Sequence, residues 1–182
     1  MILTAIAIKL DSSGPVFFRQ RRYGFNQQPF DVYKFRTMKQ TYSGMTPEKA
    51  FAAMGKPELA KLYRENGDFL DSDPRISRIG RLLRTTSLDE LPQLFNVLKG
   101  DISLVGPRAL IPQELNAYEK KHSILSVKSG LTGLAQISGR KNISFDERRK
   151  LDVYYVQNWT FWLDISILLR TLRAVINGIG AK

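Results

Sequence analysis

No stretch of this chain holds the roughly 18 uninterrupted apolar residues that a membrane-spanning helix needs. The segment MILTAIAIKL, residues 1–10, comes partway, with eight apolar residues of ten. It is too short to span a bilayer, and it lacks the basic start and the small-residue cleavage site of a signal peptide. Two interpretations stay open: a core helix or strand, or the end of a membrane-inserted segment.

Length and charge narrow the class of protein. A chain of 182 residues predicts one domain with one buried core. The formal net charge is +11, from 28 Lys and Arg against 17 Asp and Glu, which points to nucleic acid, phosphorylated metabolites or acidic lipid headgroups as partners. There is no cysteine and only one histidine, His122, which we expect in an exposed helix position. Disulfides and thiolate metal sites are therefore excluded, and a zinc site would be unusual.

The residue pattern predicts an α+β fold that is predominantly helical with a few short strands. β-forming residues on either side of a connection at 24–29 predict two strands within 16–38. Residues 40–72 are Ala-rich, start a helix at Thr46, are divided at 55–57 and end a second helix at Gly67. We expect this segment to form a mobile, peripheral helical excursion.

Two further helices are predicted. Asp73-Pro74 would start one of them, as an N-cap followed by proline at the first helical position. Arginines recur in it every third residue, so they spiral round the helix and some face solvent. From Leu151 onward the pattern is again helical, with an apolar stripe at 165–176 and tryptophans just ahead of that stripe. That pattern suits a membrane interface and suits docking on the rest of the fold equally well.

The adjacent carboxylates Asp89 and Glu90 are the strongest candidates for chemistry. Ser87 to Glu90 matches a capping box, but Pro92 would then fall inside the helix at a cost of roughly 3 kcal/mol. With Asp89 as the N-cap, Pro92 lies in the first turn and the helix dipole favours the ionised carboxylate. An oriented carboxylate can act as a nucleophile or as a ligand for Mg²⁺, and it can equally be a structural cap.

Several cations are candidates for phosphate contacts. Arg108, in the tripeptide Gly-Pro-Arg, has the fork geometry that binds phosphate, although a surface arginine is the alternative. Lys34 and Arg36 lie two apart in a predicted strand, so their side chains would share a face. Neither of the common nucleotide-binding loops, GxxxxGK[ST] and GxGxxG, is present.

Taken together, five stretches resemble the bacterial sugar transferases, the monotopic phosphoglycosyl transferases that start exopolysaccharide and glycan assembly. The stretches, in family order, are KLDSSGPVFFRQRRYG, VYKFRTM, DPRISRIGRLLRTTSLDELPQLFNVLKGDISLVGPRAL, SGLTGLAQISGR and LDVYYVQNWTFWLDI. The resemblance implies a membrane-associated catalytic domain over 1–182. It also implies that residues 1–10 are the remnant of a longer re-entrant helix, here truncated.

The resemblance also implies roles for particular residues. Asp89 would be the nucleophile, placed beside Mg²⁺ as a metal ligand, with Glu90 as its partner. Lys34 and Arg108 would contact phosphate. Further substrate contacts would come from three other motif positions, Arg36, Arg140 and Asp152.

The activity implied is transfer of a hexose 1-phosphate from a nucleoside diphosphate sugar to polyprenyl phosphate through a sugar-phosphoryl aspartate. The enzyme would act at the cytoplasmic face of the bacterial inner membrane, with the membrane surface as a partner and self-association left open. A basic peripheral membrane scaffold or a nucleic-acid-binding module is the alternative. No known nucleic-acid motif occurs in the sequence, so we expect no nucleic-acid partner.

Overall fold

The computed structural model describes residues 1–66, 69–118, 121–139 and 143–177. Its helices are α1 (Ile2–Asp11), α2 (Pro47–Ala53), α3 (Glu58–Glu65), α4 (Arg78–Thr85), α5 (Gln93–Leu98), α6 (Pro112–Ala117), α7 (Lys121–Leu125), α8 (Leu134–Ile137), α9 (Phe145–Gln157) and α10 (Phe161–Ile176). Its strands are β1 (Phe17–Tyr23), β2 (Pro29–Phe35), β3 (Ser103–Val105) and β4 (Gly130–Thr132), paired β1 with β2 and β3 with β4. The prediction of a mainly helical fold with a few short strands is confirmed.

The chain forms two compact units. The first contains Met1–Phe17 and Phe35–Asp89, and the second contains Phe18–Lys34 and the chain from Glu90 onward. The boundary along the sequence therefore falls between the two candidate carboxylates.

The predicted helices of the 40–72 segment form in the first unit. Thr46 caps α2 by accepting a hydrogen bond from the Lys49 N–H, with Pro47 as the first helical residue. A break at 54–57 separates α2 from α3, as predicted, while Gly67 lies outside the described residues. Phe51 is fully buried on α2, and the Arg75 guanidinium lies 4.5 Å from its ring centre. At least the inner face of this segment is therefore packed into the first unit.

The helix predicted to begin at Asp73-Pro74 begins later. Ser77 is the N-cap of α4, and its hydroxyl accepts a hydrogen bond from the Gly80 N–H at 3.0 Å. The Asp73 carboxylate instead forms a buried bidentate ion pair with Arg75, with Nη2 2.6 Å from Oδ2. The prediction was wrong because a charge-assisted pair satisfies the carboxylate better than helical N–H groups do. The expectation of solvent-facing arginines is confirmed by Arg78 and Arg81, which are exposed.

In the second unit, β3 and β4 form a short parallel pair, with Ser103 opposite Gly130 and Val105 opposite Thr132. The glycines within residues 129–133 are typical of a turn, but residues 130–132 form the strand β4. Glycine is needed at 106 and 130 for close packing of the two backbones. A Cβ on Gly106 would lie 2.5 Å from the Lys128 carbonyl oxygen, and one on Gly130 would clash with the Gly106 amide nitrogen.

Of the two interpretations of the C-terminal helix, the structure supports docking on the rest of the fold, and contact with a membrane stays a prediction. Ile167 of α10 is buried in a core with Val105 and Tyr155, so one face of the helix docks on its own unit. Leu169 and Leu172, which belong to the predicted apolar stripe, are 64% and 58% exposed. α10 therefore has an apolar face on both sides, one packed and one open.

Residues 1–10 are helical rather than extended. Ile8 is the buried residue of α1, while Leu3 and Leu10 are 83% and 84% exposed. The Asp11 carboxylate at the end of α1 accepts a hydrogen bond from the Ile79 N–H in the first turn of α4. Among the described residues, no helix combines the length and apolar character required to cross a bilayer.

Candidate functional site

The two candidate carboxylates lie in a single 3-10 turn, Leu88–Glu90, which follows α4. Ser87 before this turn has a φ of 57°, in the left-handed region that residues with a Cβ seldom adopt. That conformation ends α4 and turns the chain towards Leu88, as glycine more commonly does after a helix. The expectation that Asp89 caps a helix is wrong: α5 begins at Gln93, with Pro92 as its N-cap. Proline fits there because its fixed φ and missing N–H suit a helix start.

Glu90 is paired with Lys34 in the second unit. The Lys34 ammonium at the end of β2 lies 2.6 Å from Glu90 Oε1, and the two side chains are 27% and 41% exposed. Because both are partly solvated, the pair adds little to stability, and its value is in placing a cation beside a carboxylate. The structure thus brings these two predicted site residues together.

Asn96 of α5 lies near this pair and ties its helix to β2, a role that was not predicted from the sequence. Its side chain is fully buried, and its amide oxygen accepts a hydrogen bond from the Tyr33 N–H at 3.1 Å. Its amide nitrogen donates to the Asp31 carbonyl at 2.8 Å and to the Asp101 carboxylate at 2.9 Å. α5 is thereby tied to β2 next to Lys34. The available signal was a polar residue inside the otherwise apolar stretch LFNVL.

Asp89 lies in the first unit, near Arg84 of α4. Burial lowers the pKa of Arg84, and the negative charge of Asp89 acts in the opposite direction. Arg84 Nε also donates to the Thr37 hydroxyl at 2.9 Å, which holds the guanidinium in place. Arg84 thus places a fixed positive charge near the Asp89 carboxylate, which suits a site that handles phosphate charge. From the sequence, Arg84 was only one of the arginines that recur at every third residue of this helix.

Arg36 has a different environment from the one predicted. It lies just past the end of β2, where it is 5% exposed. Its Nε donates to the Pro15 carbonyl at 2.6 Å, and its Nη2 donates to the Ser12 carbonyl at 2.9 Å. Burial lowers the pKa of Arg36, and Asp11 opposes this effect. These bonds hold the turn after α1, and the substrate role of Arg36 stays a prediction to which this geometry adds no support.

Arg108 follows the bend at Gly106-Pro107, which is fastened on both sides to β4. The Gly106 N–H donates to the Thr132 carbonyl at 2.9 Å, and the Gly130 N–H donates to the Pro107 carbonyl at 2.9 Å. The backbone that carries Arg108 is therefore rigid, which suits a residue that must orient a fork of N–H donors.

Asp152 of α9 is close to Arg108 and is 1% exposed. Burial raises the pKa of Asp152 to about 6, against the opposing effects of the Arg149 guanidinium and the Arg108 backbone N–H. Arg149 Nη1 lies 3.1 Å from Asp152 Oδ2, and Arg149 Nη2 lies 4.0 Å from Glu114 Oε1. The predicted site residues Arg108 and Asp152 are thus neighbours, whereas Arg140 lies outside the described residues.

The chain matches one protein-family model and is similar to several known proteins. The family model for bacterial sugar transferases matches residues 1–178. The uncharacterized sugar transferase EpsL of Bacillus subtilis is 44% identical over 183 residues, covering 100% of this chain and 80% of that protein. The undecaprenyl-phosphate galactose phosphotransferase of Salmonella typhimurium is 43% identical over 92% of this chain. The galactosyl transferase CpsE of Streptococcus agalactiae is 47% identical over 93% of it.

These relatives differ in length from the present chain. It spans 35% of the Salmonella protein and 36% of the Streptococcus protein, against four fifths of EpsL. The region matched by the family model, residues 1–178, contains all the candidate site residues discussed above.

Proposed function

Because the chain belongs to the bacterial sugar transferase family, we propose that it transfers a hexose 1-phosphate from a nucleoside diphosphate sugar, a UDP-sugar, to undecaprenyl phosphate. The match supports the enzyme class predicted from the sequence, a phosphoglycosyl transferase. Relatives named as undecaprenyl-phosphate galactose and glucose phosphotransferases support this donor and acceptor class, and relatives named as exopolysaccharide production proteins support a role in exopolysaccharide or glycan synthesis.

The structural observation that carries the proposal is that a candidate phosphate contact and a candidate nucleophile each have surroundings suited to that role. Arg108 is presented on a rigid backbone, as a phosphate contact requires, and Asp89 lies near the fixed cation Arg84. Phosphoryl transfer depends mainly on positioning and on neutralising phosphate charge, and these residue types supply both.

In the proposed reaction, an Asp89 carboxylate oxygen attacks the sugar-bearing phosphorus of the donor. A phosphorus–oxygen bond to Asp89 forms, and the bond to the nucleoside monophosphate breaks, so that the nucleotide leaves with the electron pair. A phosphate oxygen of the carrier lipid then attacks the same phosphorus and releases the Asp89 carboxylate. Lys34 and Arg108 hold phosphate charge during both steps, and Glu90 holds the Lys34 ammonium.

The carboxylates of the site fit a Mg²⁺ ion that is bound together with the phosphates of a nucleotide. In the described part of the chain, no three His, Asp or Glu side chains are placed to form a metal cage. Mg²⁺ ordinarily needs only one or two carboxylates, with substrate phosphates and waters completing its shell. Asp89 would supply the carboxylate ligand, and the ion would neutralise charge on the donor diphosphate.

A membrane surface is the proposed location, at the cytoplasmic face of the inner membrane. Exposed apolar side chains on α1 and, separately, on α10 support this, with Leu3 at 83% and Trp162 at 76% exposure. The carrier lipid would then be within reach of a protein that has no spanning helix among its described residues.

A panel of nucleotide sugars tests the proposed reaction. With Mg²⁺ and a polyprenyl phosphate, one sugar of the panel should give nucleoside monophosphate and a lipid-linked sugar diphosphate. If no nucleotide sugar yields monophosphate while the folded protein binds DNA or RNA tightly, the nucleic-acid-binding alternative replaces the enzyme. Vesicle binding without any turnover would instead favour the scaffold.

A further inference from the structure

Two arginines of the second unit have no role in the reaction above, Arg22 on β1 and Arg148 on α9. The end of β1 is tied to the chain after Arg108 by paired backbone hydrogen bonds between Tyr23 and Leu110, at 2.8 and 3.1 Å. Arg22 is 8% exposed, and its Nη1 donates to the carbonyl of Ala109 at 3.1 Å. The Arg22 guanidinium therefore lies beside the residue that directly follows Arg108.

Arg148 approaches the same place from the helix side. It precedes Asp152 by one helical turn, so the two side chains share a face of α9. Asp152 is close to the Arg108 backbone, so this face of α9 is directed towards Arg108. The Nε atom of Arg148 is buried and makes no hydrogen bond within the described residues.

The carboxylates of this region do not balance its arginines. Arg22, Arg108, Arg148 and Arg149 carry four positive charges, whereas Glu114 and Asp152 carry at most two negative charges. The charge of Glu90 also acts on Arg22, but Glu90 is paired with Lys34. Glu114 and Asp152 both lie within ion-pair distance of Arg149. Among the ion pairs of the described chain, none involves the other three arginines.

The electrostatic effects agree with this geometry. Burial lowers the pKa of Arg22 to about 10, and the positive charge of Arg108 acts in the same direction. Burial lowers the pKa of Arg148 as well, and Arg108 is the next largest cause. Each arginine is thus partly desolvated beside another cation, an arrangement that an anion would stabilise.

We propose that Arg22 and Arg148 form, with Arg108, a pocket for a phosphate group of the substrate. Planar guanidinium groups on two different elements, around a third on a rigid backbone, provide the several N–H donors that a tetrahedral oxyanion accepts from. Asp152 and Glu114 hold Arg149. Arg22 donates one hydrogen bond from each Nη atom, to the Ala109 carbonyl and to the Gln20 side chain, and these neutral acceptors leave its charge for the anion. The pocket depends on the proposed function only for the source of the phosphate, either the donor diphosphate or the phosphate of the carrier lipid.

Calorimetric titration with inorganic pyrophosphate tests the pocket without any turnover. Arg22→Gln and Arg148→Gln should each weaken pyrophosphate binding by about tenfold or more, as expected for one lost hydrogen bond to a charged group. Matched controls remove one positive charge from the same elements. Arg21→Gln on β1 and Lys150→Gln on α9, both exposed, should change binding less than twofold.

Arg22→Gln loses a buried hydrogen bond, so circular dichroism must show that it folds. If Arg22→Gln does not fold, the result is decided by Arg148→Gln, which changes a less buried side chain. Unchanged pyrophosphate affinity in folded Arg148→Gln, or an equal loss in the two controls, would overturn the proposal.

Titration with UDP and with farnesyl phosphate identifies the source of the anion. Weaker UDP binding by the variants assigns the pocket to the donor, and weaker farnesyl phosphate binding assigns it to the carrier. Wild-type affinity for both ligands in both variants would overturn the pocket. Loss of binding by the variants, in a protein whose wild type releases no monophosphate from any nucleotide sugar, would leave the pocket standing and refute the transferase proposal alone.

Discussion

Asn96→Ala is the substitution whose cost follows most directly from the structure. The fully buried Asn96 side chain makes two hydrogen bonds to backbone groups and one to the Asp101 carboxylate. A neutral bond contributes about 1 kcal/mol and one to a charged group roughly 1.5–3 kcal/mol, so we expect a loss of about 3–5 kcal/mol. For a chain of this size, that corresponds to a fall in melting temperature of roughly 10 °C.

Activity should fall as well, because Asn96 ties α5 to β2 beside the Lys34–Glu90 pair. Asn158→Ala is the matched control, since the exposed Asn158 side chain makes one hydrogen bond, to the Tyr154 carbonyl. It should change the melting temperature by no more than about 2 °C. Asn96→Asp keeps the shape but turns a donor towards two acceptors into a third acceptor, and it should destabilise at least as much as alanine. A melting temperature within 2 °C of wild type in Asn96→Ala, measured by calorimetry, would refute the reasoning.

Three further predictions concern the site and the membrane. Arg108→Ala should lower kcat/KM by roughly 10- to 1000-fold with a nearly unchanged melting temperature, and full activity would return this side chain to an ordinary surface role. Burial raises the pKa of Asp152 to about 6 from its ordinary value of 3.8. The protonated Asp152 therefore stabilises the folded state by roughly 3 kcal/mol below pH about 4, and this stabilisation is lost as the pH rises through about 6. Urea unfolding at several pH values should show this dependence in the wild type and not in Asp152→Asn. The protein should bind anionic vesicles, more weakly at high salt, and replacing Trp162 and Leu169 by Ser should reduce flotation, whereas binding equal to wild type would move the membrane contact away from α10.

Local patterns in the sequence identified much of the fold. The strands at 17–35, the capped helix after Thr46 and the exposed position of His122 all follow from propensity and turn signals. The wrong local predictions arose where another contact competed with the local pattern. That contact was either distant in sequence or stronger than a helix cap. Asp73 pairs with Arg75, and residues 130–132 pair with β3, and neither event is encoded in a local capping or turn pattern.

Some residues of the candidate site were predicted from the sequence, and others were not. The Lys34–Glu90 contact joins residues 56 positions apart, and only the family motifs placed them together beforehand. Arg36 shows the limit of such transfer, because a motif marks a position without separating a substrate contact from a residue that holds a turn. Asn96 and the arginines around Arg108 were missed because their importance comes from burial, which composition does not report.

Asp89 is the proposed nucleophile of the reaction. The most direct test of this role is intact-protein and peptide mass spectrometry of wild-type protein mixed with its nucleotide sugar and Mg²⁺ in the absence of lipid. The mechanism predicts an adduct of one hexose phosphate on the peptide containing Asp89, one equivalent of nucleoside monophosphate, and no adduct in a folded Asp89→Asn protein. An adduct on Glu90 would exchange the roles of the two carboxylates. No adduct and no monophosphate until the lipid is added would contradict the covalent mechanism and indicate a direct transfer.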